Sequence, residues 1–563
     1  RRLEGDGVFD RALGLADDVT SLPPADLLRA ILSAPADLLW NGGIGTYVKA
    51  THESHADAGD KANDAIRVNG AELRVKVVGE GGNLGLTQGG RIEFARAGGH
   101  LNTDFIDNSA GVDTSDREVN IKILLDRVVA AGDLTGKQRN ELLASMTDEV
   151  AALVLRDNDQ QNRALANAAA NAPSLLHVHE RWMRRLEGDG VFDRALEGLP
   201  DRAEVRRRLE AGDGLSLPEL SVLMSWTKIV LAEELLDSDL PDDPYLRGLL
   251  YSYFPTPMRH RFRAQMDAHP LRREIVVTEV VNRLVNTAGM TFWPRLADET
   301  GADPAELARA SFVADEIFGA SALRAEIETY DNKLDAAVQT RMRIELRTLV
   351  ERAARWLVLR RSERDAEGVV DFFGVRIQQV LAGEPGLAGL LSGRELAAYE
   401  QRRDALLAGD VPLDLAERIA VLPPSYALLT VVETAAAVGL EAETVARVHF
   451  ALGERLGLSS LLSRILGLPR SDRWETTARA ALRDDLHGVH ALLTAQALAV
   501  SSDDDPAPVR VAAWEETQPE VVARAASTLE EVCAEEPDLA RLSVGMRVVR
   551  GLVSVPGAGG DAG

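Results

Sequence analysis

From about residue 135 onward, apolar residues recur every three or four positions and strand patterns almost stop, which restricts this part of the chain to helices. The segment SLPELSVLMSWTKIVLAEELL opens with a capping box, Ser216 with Glu219, and DPAELARASFVADEIF repeats the device with Asp303, Pro304 and Glu306. A long helix farther on is predicted to carry the apolar stripe Val338, Met342, Leu346, Leu349, Ala353 and Leu357. Its methionine is therefore expected in the core, and residues of roughly 135 to 555 are predicted to be all-α.

Residues 21–126 follow a different pattern, in which short apolar runs alternate with helical stretches. The predicted strands are DLLW at 37–40, LRVKVVG at 73–79 and DFID at 104–107, with RIEF at 91–94 as a further candidate. The predicted helices are SLPPADLLRAIL with Ser21 as N-cap, HADAGDKANDAIRV, and EVNIKILLDRVV. Such alternation indicates a parallel α/β sheet, and this length holds half of such a domain.

Three glycine-bearing loops follow the predicted strands: WNGGIGTYVK, GEGGNLGLTQ and NSAGVDTSD. In open α/β sheets, ligands bind beyond the carboxyl ends of the strands. Each loop combines glycines, which let a ring or a ribose approach the backbone, with an asparagine whose amide both donates and accepts, as a nicotinamide carboxamide requires. Plain left-handed turns use glycine for the same steric reason, so the residues alone leave both interpretations open.

Charge and cysteine content exclude several classes of function. The net charge of −25 would repel a polyanion, so neither a nucleic acid nor an anionic membrane is an expected partner. The single cysteine, Cys533, excludes an internal disulfide and a cysteine-rich zinc site and fits a cytoplasmic location. The sequence contains no run of 18 or more apolar residues and no charged-then-apolar leader, so neither a membrane span nor a secretory signal is expected. His52 and His55 lack a third ligand nearby, so no metal site is expected.

The sequence RRLEGDGVFDRAL occurs twice without a change, at residues 1–13 and 184–196. Structural repeats diverge except where packing constrains them, so this identity indicates a recent duplication, a chimeric join or an assembly error. The length of 563 residues predicts roughly three or four domains. We expect a duplicated or artefactual segment at 1–13, half of an α/β domain at 14–134 and a helical domain at 135–500. A linker (SSDDDPAP), terminal helices and a disordered tail (GAGGDAG) are expected at 501–563.

Two of the loops resemble those of a known enzyme family. GEGGN at 79–83, with Thr87 after it, resembles the "EGAN…T" loop of glutamate dehydrogenases. NSAGVDTSDREV resembles their "NAGGVxxSxxE" loop, with these residues in register: Asn108, Gly111, Val112, Ser115 and Glu118. Together with DLLWNGGIGTYVKA, LTGKQRN, SLLHVHER, YFPTPMR and AVQTRMR, they resemble the C-terminal portion of the large NAD-specific glutamate dehydrogenases of bacteria, over most of residues 14–400. This resemblance implies the distal half of a Rossmann-like nucleotide-binding domain, followed by a large helical C-terminal region.

The resemblance also implies site residues. The implied NAD-binding residues are Asn41, Gly42, Gly43, Gly45, Glu80, Gly81, Asn83 and Asn108. Asn83 would hydrogen-bond the nicotinamide ribose or carboxamide, Glu80 would shape the turn with Gly81, and Asn108 would lie on the nicotinamide. Val112 and Ser115 would face the bound glutamate, the latter through its hydroxyl.

The implied reaction is oxidation of L-glutamate by NAD to an imine, which is hydrolysed to 2-oxoglutarate and ammonium. It needs a lysine of lowered pKa and a carboxylate to move protons. Lys49, Lys61 and Lys76 lie in segments whose family counterparts are not catalytic, so we predict no catalytic residue in this chain. A GxGxxG fingerprint is also missing, because Leu84 stands where the last glycine belongs. The resemblance therefore implies that the first half of the nucleotide-binding fold is missing and that a protein of this length is inactive alone.

Two other functions stay open. A non-enzymatic helical interaction protein with a decayed nucleotide-binding remnant would also lack the catalytic residues. A dehydrogenase of leucine, valine or phenylalanine is disfavoured because those enzymes lack the long helical extension. Asp113 places a carboxylate beside a site for an anionic substrate, which puts the substrate contacts in question. The helical region is expected to mediate subunit or domain contacts, with a homo-oligomer formed by the full-length protein.

Overall fold

The computed structural model describes residues 3–4, 12–15, 19, 21–360, 364–470, 473–534, 536 and 538–553. Helices account for 71% of the described residues, which confirms the prediction of a largely helical protein. The chain divides into two compact units, Arg1–Ala297 with Asp303–Ala308 and Asp298–Ala302 with Arg309–Gly563. The candidate site lies in the first unit.

The strands of the described residues all lie in the first unit and are short. They are β1 (Leu3–Glu4), β2 (Ser21–Leu22), β3 (Leu38–Asn41), β4 (Val48–Lys49), β5 (Val68–Asn69) and β6 (Val77–Glu80). The pairs β3–β6 and β4–β5 are parallel, and β1–β2 is antiparallel. Parallel bridges extend these pairs, from Val48 to Leu86 and from Val77 to His100. The predicted strands at 37–40 and 73–79 thus correspond to β3 and β6, which are neighbours.

The α-helices are, in chain order, α1 (Pro24–Leu32), α2 (Gln88–Arg96), α3 (Asp104–Asp107), α4 (Ser109–Ala130), α5 (Gly136–Ser145), α6 (Thr147–Gly188), α7 (Arg202–Ala211), α8 (Leu217–Leu236), α9 (Arg247–Tyr253), α10 (Thr256–Arg259), α11 (Arg263–Asp267), α12 (Arg272–Ala288), α13 (Phe292–Thr300) and α14 (Pro304–Ile317). They continue with α15 (Ala320–Glu328), α16 (Ala336–Arg360), α17 (Ala366–Ala382), α18 (Gly393–Leu407), α19 (Leu413–Ala420), α20 (Leu422–Ser425), α21 (Leu428–Val438), α22 (Ala442–Leu456), α23 (Leu458–Leu466), α24 (Arg473–Ala499), α25 (Ala507–Glu516), α26 (Pro519–Ala534) and α27 (Leu539–Gly551). Short 3₁₀ helices occupy Lys61–Asn63, Gly70–Glu72, Leu240–Asp242, Pro244–Leu246 and Leu387–Leu390.

A small apolar core supports the strands of the first unit. It consists of Val48, Val68, Leu73, Val75, Val78, Leu86, Phe94 and Leu101. Side chains alternate along β6, so Val78 and Glu80 are buried while Val77 faces outward. The alternation fixes which face of β6 packs on the core and leaves its carboxyl end at the surface.

Several predictions for this region are wrong. RIEF lies in α2, because Thr87 caps that helix: its Oγ1 accepts a hydrogen bond from Gly90 N at 3.0 Å. DFID is the helix α3, and NSAGVDTSD is largely the first turns of α4 rather than a loop. HADAGDKANDAIRV forms turns and one 3₁₀ turn, since Gly59 adopts a left-handed φ of +67°. Ser21 lies in β2, and α1 begins after Pro23 as its N-cap.

Predictions that rested on capping and periodicity are confirmed. Ser216 and Glu219 form the capping box of α8. Glu306 N donates to Asp303 Oδ1 at 2.8 Å at the start of α14. Met342 is fully buried within α16. SSDDDPAP separates α24 from α25, whereas GAGGDAG lies outside the described residues.

The duplicated sequence adopts two conformations where it is described. Leu3–Glu4 form β1, and the identical pair at 186–187 lies in α6. Much of the first copy lies outside the described residues. Local sequence therefore does not decide the conformation of this pair.

None of the described helices alone has the length and apolar character to cross a membrane. The bent pair of α19 with Leu422–Val438, at 43°, meets the length and composition requirement.

Candidate functional site

Two of the glycine loops begin side by side at the carboxyl ends of β3 and β6. The last pair in the register is Asn41 with Glu80. Beyond it, Gly82 N donates to Asn41 O at 2.9 Å. A Cβ atom added to Gly82 would lie 2.5 Å from Gly43 O, so a side chain at position 82 would push the loops apart. The two loops thus form one surface at the edge of the sheet.

The third predicted segment, at the start of α4, reaches the same surface. Asn108 precedes α4, and its Nδ2 donates a hydrogen bond to Asn83 Oδ1. Val112 and Ser115 follow at positions i+4 and i+7, so they lie on the same face of the helix as Asn108. Both are exposed, Val112 to 65%. The structure therefore brings Asn83 and Asn108 together and places the predicted substrate residues along one adjoining helix face.

An exposed tryptophan, which the sequence analysis did not single out, explains some of the glycines. A Cβ atom at Gly79 would lie 2.8 Å from Trp40 Cε3, and one at Gly81 would lie 2.5 Å from Trp40 Cζ2. The Trp40 side chain is nevertheless 62% exposed. Its indole covers the backbone of β6 and the turn on one side while its other side faces outward. A side chain at position 79 or 81 would displace the indole, so these glycines let Trp40 cover the strand whatever ligand the loop binds.

Other predicted residues have structural surroundings of their own. A Cβ atom at Gly45, whose φ is +130°, would lie 2.7 Å from Asn63 Nδ2. The Asn41 side chain lies against Gly85, and its Nδ2 is buried without a hydrogen-bond partner among the described residues. Gly43, in contrast, has open space around the position of a Cβ atom. Of the first loop, the backbone near Gly43 is thus the part best placed to meet a ligand.

Glu80 is a buried structural residue. Its carboxylate is fully buried and accepts hydrogen bonds from Arg91 Nε at 2.6 Å and Arg91 Nη2 at 2.9 Å. Leu86 N also donates to it, at 3.2 Å. Burial raises the pKa of the Glu80 carboxyl, and Arg91 opposes that shift. The carboxylate therefore cannot reach a surface ligand, and Glu80 can act on the site only by fixing the turn.

The turn is also held from α3. Asp107 Oδ2 accepts a hydrogen bond from Glu80 N at 3.0 Å, and Asp104 Oδ2 accepts one from Leu84 N at 2.7 Å. Leu84 has a φ of +57°, which is rare for a residue with a side chain, and its carbonyl accepts from Thr46 Oγ1 at 2.8 Å. Such strain persists where neighbouring groups over-determine the backbone, as they do at ligand sites. Leu84 thus stands where a GxGxxG fingerprint has its last glycine, and its backbone has the left-handed conformation that glycine adopts readily.

Asp113 does not project towards the surface of Asn83 and Asn108. Its carboxylate pairs with Arg117 at 3.2 Å, and the Arg117 side chain is only 2% exposed. Arg117 also donates to Tyr253 O at 2.8 Å and pairs with Asp157 of α6. Burial raises the pKa of Asp113. This ion network anchors α4 to the helices behind it and compensates the charge of Asp113 within the protein.

Two of the three lysines near the loops, Lys49 and Lys76, are occupied elsewhere, and Lys61 is exposed. Lys49 Nζ donates to Asn69 Oδ1 at 2.6 Å, and Lys76 Nζ pairs with Asp37 at 2.8 Å. The His55 ring contacts Arg67 Nη1 at 3.0 Å. Within the described parts of the chain, no group of three or more His, Cys, Asp or Glu residues is arranged to hold a metal. The surface therefore offers amides, a hydroxyl and open backbone, groups that suit binding and orientation.

Two family descriptions match the chain. "Bacterial NAD-glutamate dehydrogenase, catalytic domain" matches residues 8–168, which include the surface described above. "Glutamate dehydrogenase, C-terminal" matches residues 212–551.

Curated relatives match nearly the whole chain. An NAD-specific glutamate dehydrogenase of Mycobacterium tuberculosis is 42% identical over 99% of this chain and 35% of the relative. Enzymes of the same name from Halomonas elongata and Pseudomonas aeruginosa are 42% and 44% identical, each over 91% of this chain and 32% of the relative. The chain thus spans about a third of the length of these relatives. By these matches, it belongs to the family of bacterial NAD-specific glutamate dehydrogenases.

Proposed function

We propose that this chain forms one wall of the cofactor and substrate site of an NAD-dependent glutamate dehydrogenase. The proposed reaction is oxidation of L-glutamate to an imine, followed by hydrolysis to 2-oxoglutarate and ammonium. The observation that carries the proposal is the hydrogen bond from Asn108 to Asn83 beside the carboxyl ends of the parallel strands β3 and β6. Ligands of open α/β sheets bind at that edge.

The exposed amides fit a nicotinamide. An asparagine side chain donates through Nδ2 and accepts through Oδ1, which complements the carboxamide. Because Asn108 and Asn83 bond to each other, each orients the other, while the open backbone at Gly43 lets a flat ring approach. NAD, when bound, would supply the hydride acceptor. The remaining roles belong to the protein, which must position the amino acid and exclude water.

The face of α4 would hold the amino acid. Asn108, Val112 and Ser115 lie along one side of the helix, so a substrate that extends from the nicotinamide would pass over Val112 and meet the hydroxyl of Ser115. The Arg117 network fixes this helix from behind, because its carboxylate partners lie on α4, α6 and α12. The rigidity of α4 would supply the orientation that hydride transfer needs.

Proton transfer is assigned to sequence outside this chain. Lys49 and Lys76 are bound to Asn69 and Asp37, and the relatives are about three times as long as this chain. We infer that residues 14–134 are the distal half of a Rossmann-like domain and residues 135–500 a helical domain. We also infer that the chain alone is inactive. The full-length protein would work in the cytoplasm as a homo-oligomer.

The test compares this chain with the protein encoded by its complete reading frame. Formation of NADH from L-glutamate should occur with the complete protein and be absent with this chain alone. Asn83→Ala and Asn108→Ala in the complete protein should each raise the KM for NAD by about 2- to 12-fold, the equivalent of one hydrogen bond of about 0.5–1.5 kcal/mol. Asn140→Ala, at an exposed position of α5, is the matched control.

Unchanged NAD kinetics in both asparagine variants would contradict the assignment of this surface. A complete protein that forms no NADH with any amino acid would favour the alternative, a helical interaction protein with a decayed nucleotide-binding remnant.

A further inference from the structure

A cavity lies within the helical second unit and is not part of the surface described above. Its volume is about 360 Å³, and it lies between α16, α18, α20, α22, α23 and α24. Cavities that hold small ligands in proteins span roughly 300–1,000 Å³. The cavity is therefore large enough for a small organic molecule.

Three arginines line this cavity: Arg352 of α16 and both Arg394 and Arg402 of α18. Arg402 Nε donates to Ala420 O at 3.0 Å. None of the three arginines forms an ion pair with a carboxylate of the described residues. Arginines around a cavity normally pair with carboxylates, and this chain has an excess of 25 negative charges from which to draw them. The charges of Glu345 and Glu395 act on Arg402 without an ion-pair contact, so the cavity retains guanidinium groups that can bind an anion, with Arg352 and Arg394 the least compensated.

One carboxyl group also lines the cavity, that of Glu395. Burial raises the pKa of this carboxyl and the nearby Glu454 adds to the shift, whereas Arg402 opposes it. The arginines outnumber it three to one, so the lining as a whole is cationic.

The amino end of α23 borders the same cavity through Leu458, Ser459 and Ser460. The helix is nine residues long and follows Gly457, whose φ is +69°. Amides of a first helical turn have no partner within the helix and attract anions. Ser459 Oγ is buried and has no hydrogen-bond partner among the described residues. A buried hydroxyl without a partner is costly, and an anion in the cavity would accept its hydrogen bond.

The remaining wall is apolar or neutral. Phe450, Leu462 and Leu486 line it together with the rings of His449 and His490, which stack at 3.5 Å. His490 Nε2 donates to His449 O at 2.8 Å. Burial lowers the pKa of His490 to about 4, so this imidazole is neutral at neutral pH. The wall suits a compact apolar or aromatic body rather than a second charged group.

We propose that this cavity binds a small organic carboxylate, whose anionic group lies between Arg352, Arg394, Arg402 and the amino end of α23. Its apolar body packs on Phe450, Leu462 and the stacked histidines. This site is separate from the surface at Asn83 and Asn108, so its occupancy does not require NAD or glutamate. The lining sets the specificity, because the guanidinium donors bind the carboxylate and the flat wall packs on the apolar body.

The test uses the whole 563-residue chain and three probes: benzoate, its neutral analogue benzamide, and inorganic phosphate. Isothermal titration should show one benzoate bound per chain, with benzamide and phosphate at least tenfold weaker. Arg394→Gln should raise the Kd of benzoate about tenfold, which corresponds to about 1.4 kcal/mol. Arg447→Gln is the control, because Arg447 is an exposed arginine of α22 paired with Glu443 and outside the cavity lining.

A cavity-filling variant separates loss of binding from loss of folding. Ala398→Phe adds a ring at the cavity wall and should abolish benzoate binding while the circular dichroism spectrum stays that of the parent chain. The proposal is overturned if benzoate gives no binding heat, or if benzamide or phosphate binds as tightly as benzoate. It is also overturned if folded Arg394→Gln and Ala398→Phe both keep the parent Kd.

Discussion

His490 should make the stability of the second unit depend strongly on pH. Its ring is buried against His449, and burial lowers its pKa from 6.5 to about 4. An unfolded chain takes up a proton on this imidazole as the pH falls below about 6.5, whereas the folded chain does so only near pH 4. The stability that His490 contributes is thus fully present above pH 6.5 and is lost as the pH falls towards 4.

The magnitude follows from the two pKa values. Each unit of difference corresponds to about 1.36 kcal/mol, so the total loss is about 3 kcal/mol, of which about 2 kcal/mol falls between pH 7 and pH 5. His487 adds to the effect in the parent chain, because burial lowers its pKa to about 3. His490→Gln removes one titrating group and keeps an amide N–H that can donate to His449 O in place of Nε2.

Hydrogen exchange of peptides from α22 and α24, followed by mass spectrometry at pH 7, 6 and 5, reports the opening free energy of this unit. The parent chain should lose about 2 kcal/mol more than His490→Gln between pH 7 and pH 5. His260→Gln, at an exposed position of the first unit, should retain the parent pH dependence. If His490→Gln loses as much stability on acidification as the parent chain, the buried neutral imidazole is not the cause and the reasoning fails.

Two further changes test the first unit. Arg91→Met leaves the buried Glu80 carboxylate without its partner and should lower the free energy of unfolding in urea by about 3–5 kcal/mol. The control Arg96→Met, at a partly exposed pair with Glu204, should lower it by at most about 1 kcal/mol. Equal losses of stability would contradict the structural role of Glu80. Leu84→Gly should raise the melting temperature, because relief of the left-handed backbone adds about 1 kcal/mol to the free energy of unfolding. A lower melting temperature would show that Leu84 is not strained.

The parts of the fold that follow from local chemistry could be predicted from the sequence. The capping box of Ser216 and Glu219 starts α8 as expected, and Met342 is in the core because its stripe repeats with helical spacing. Short β-forming runs were less informative. RIEF is helical because the cap at Thr87 outweighs β propensity over four residues. The pair Leu-Glu, a strand at 3–4 and a helix at 186–187, shows the same dominance of context.

The candidate site could be predicted only in part. The positions of their loops after successive apolar runs place Asn83 and Asn108 at one edge of the sheet, and the family resemblance implies their roles, but Asn108 directly precedes a helix rather than lying in a loop. The burial of Glu80 could not be predicted, because its partner Arg91 lies in a segment interpreted as a strand. The arginines of the cavity in the second unit come from α16 and α18, which are distant in sequence, and no local pattern relates them.

The loop after β6 is held from one side and open on the other. Beneath it, the Glu80–Arg91 pair and the carboxylates of Asp104 and Asp107 bind its backbone and side chains. These groups all lie on or next to the core, so they can fix the turn without touching a ligand. The outer side carries the exposed Asn83, which is bonded to Asn108 and would meet the cofactor under the proposed function. A substitution beneath the loop should therefore change the affinity for NAD by loosening the turn. A substitution at Asn83 should change that affinity by removing the proposed contact with NAD. The two classes are separable, because only the first class lowers the stability of the first unit.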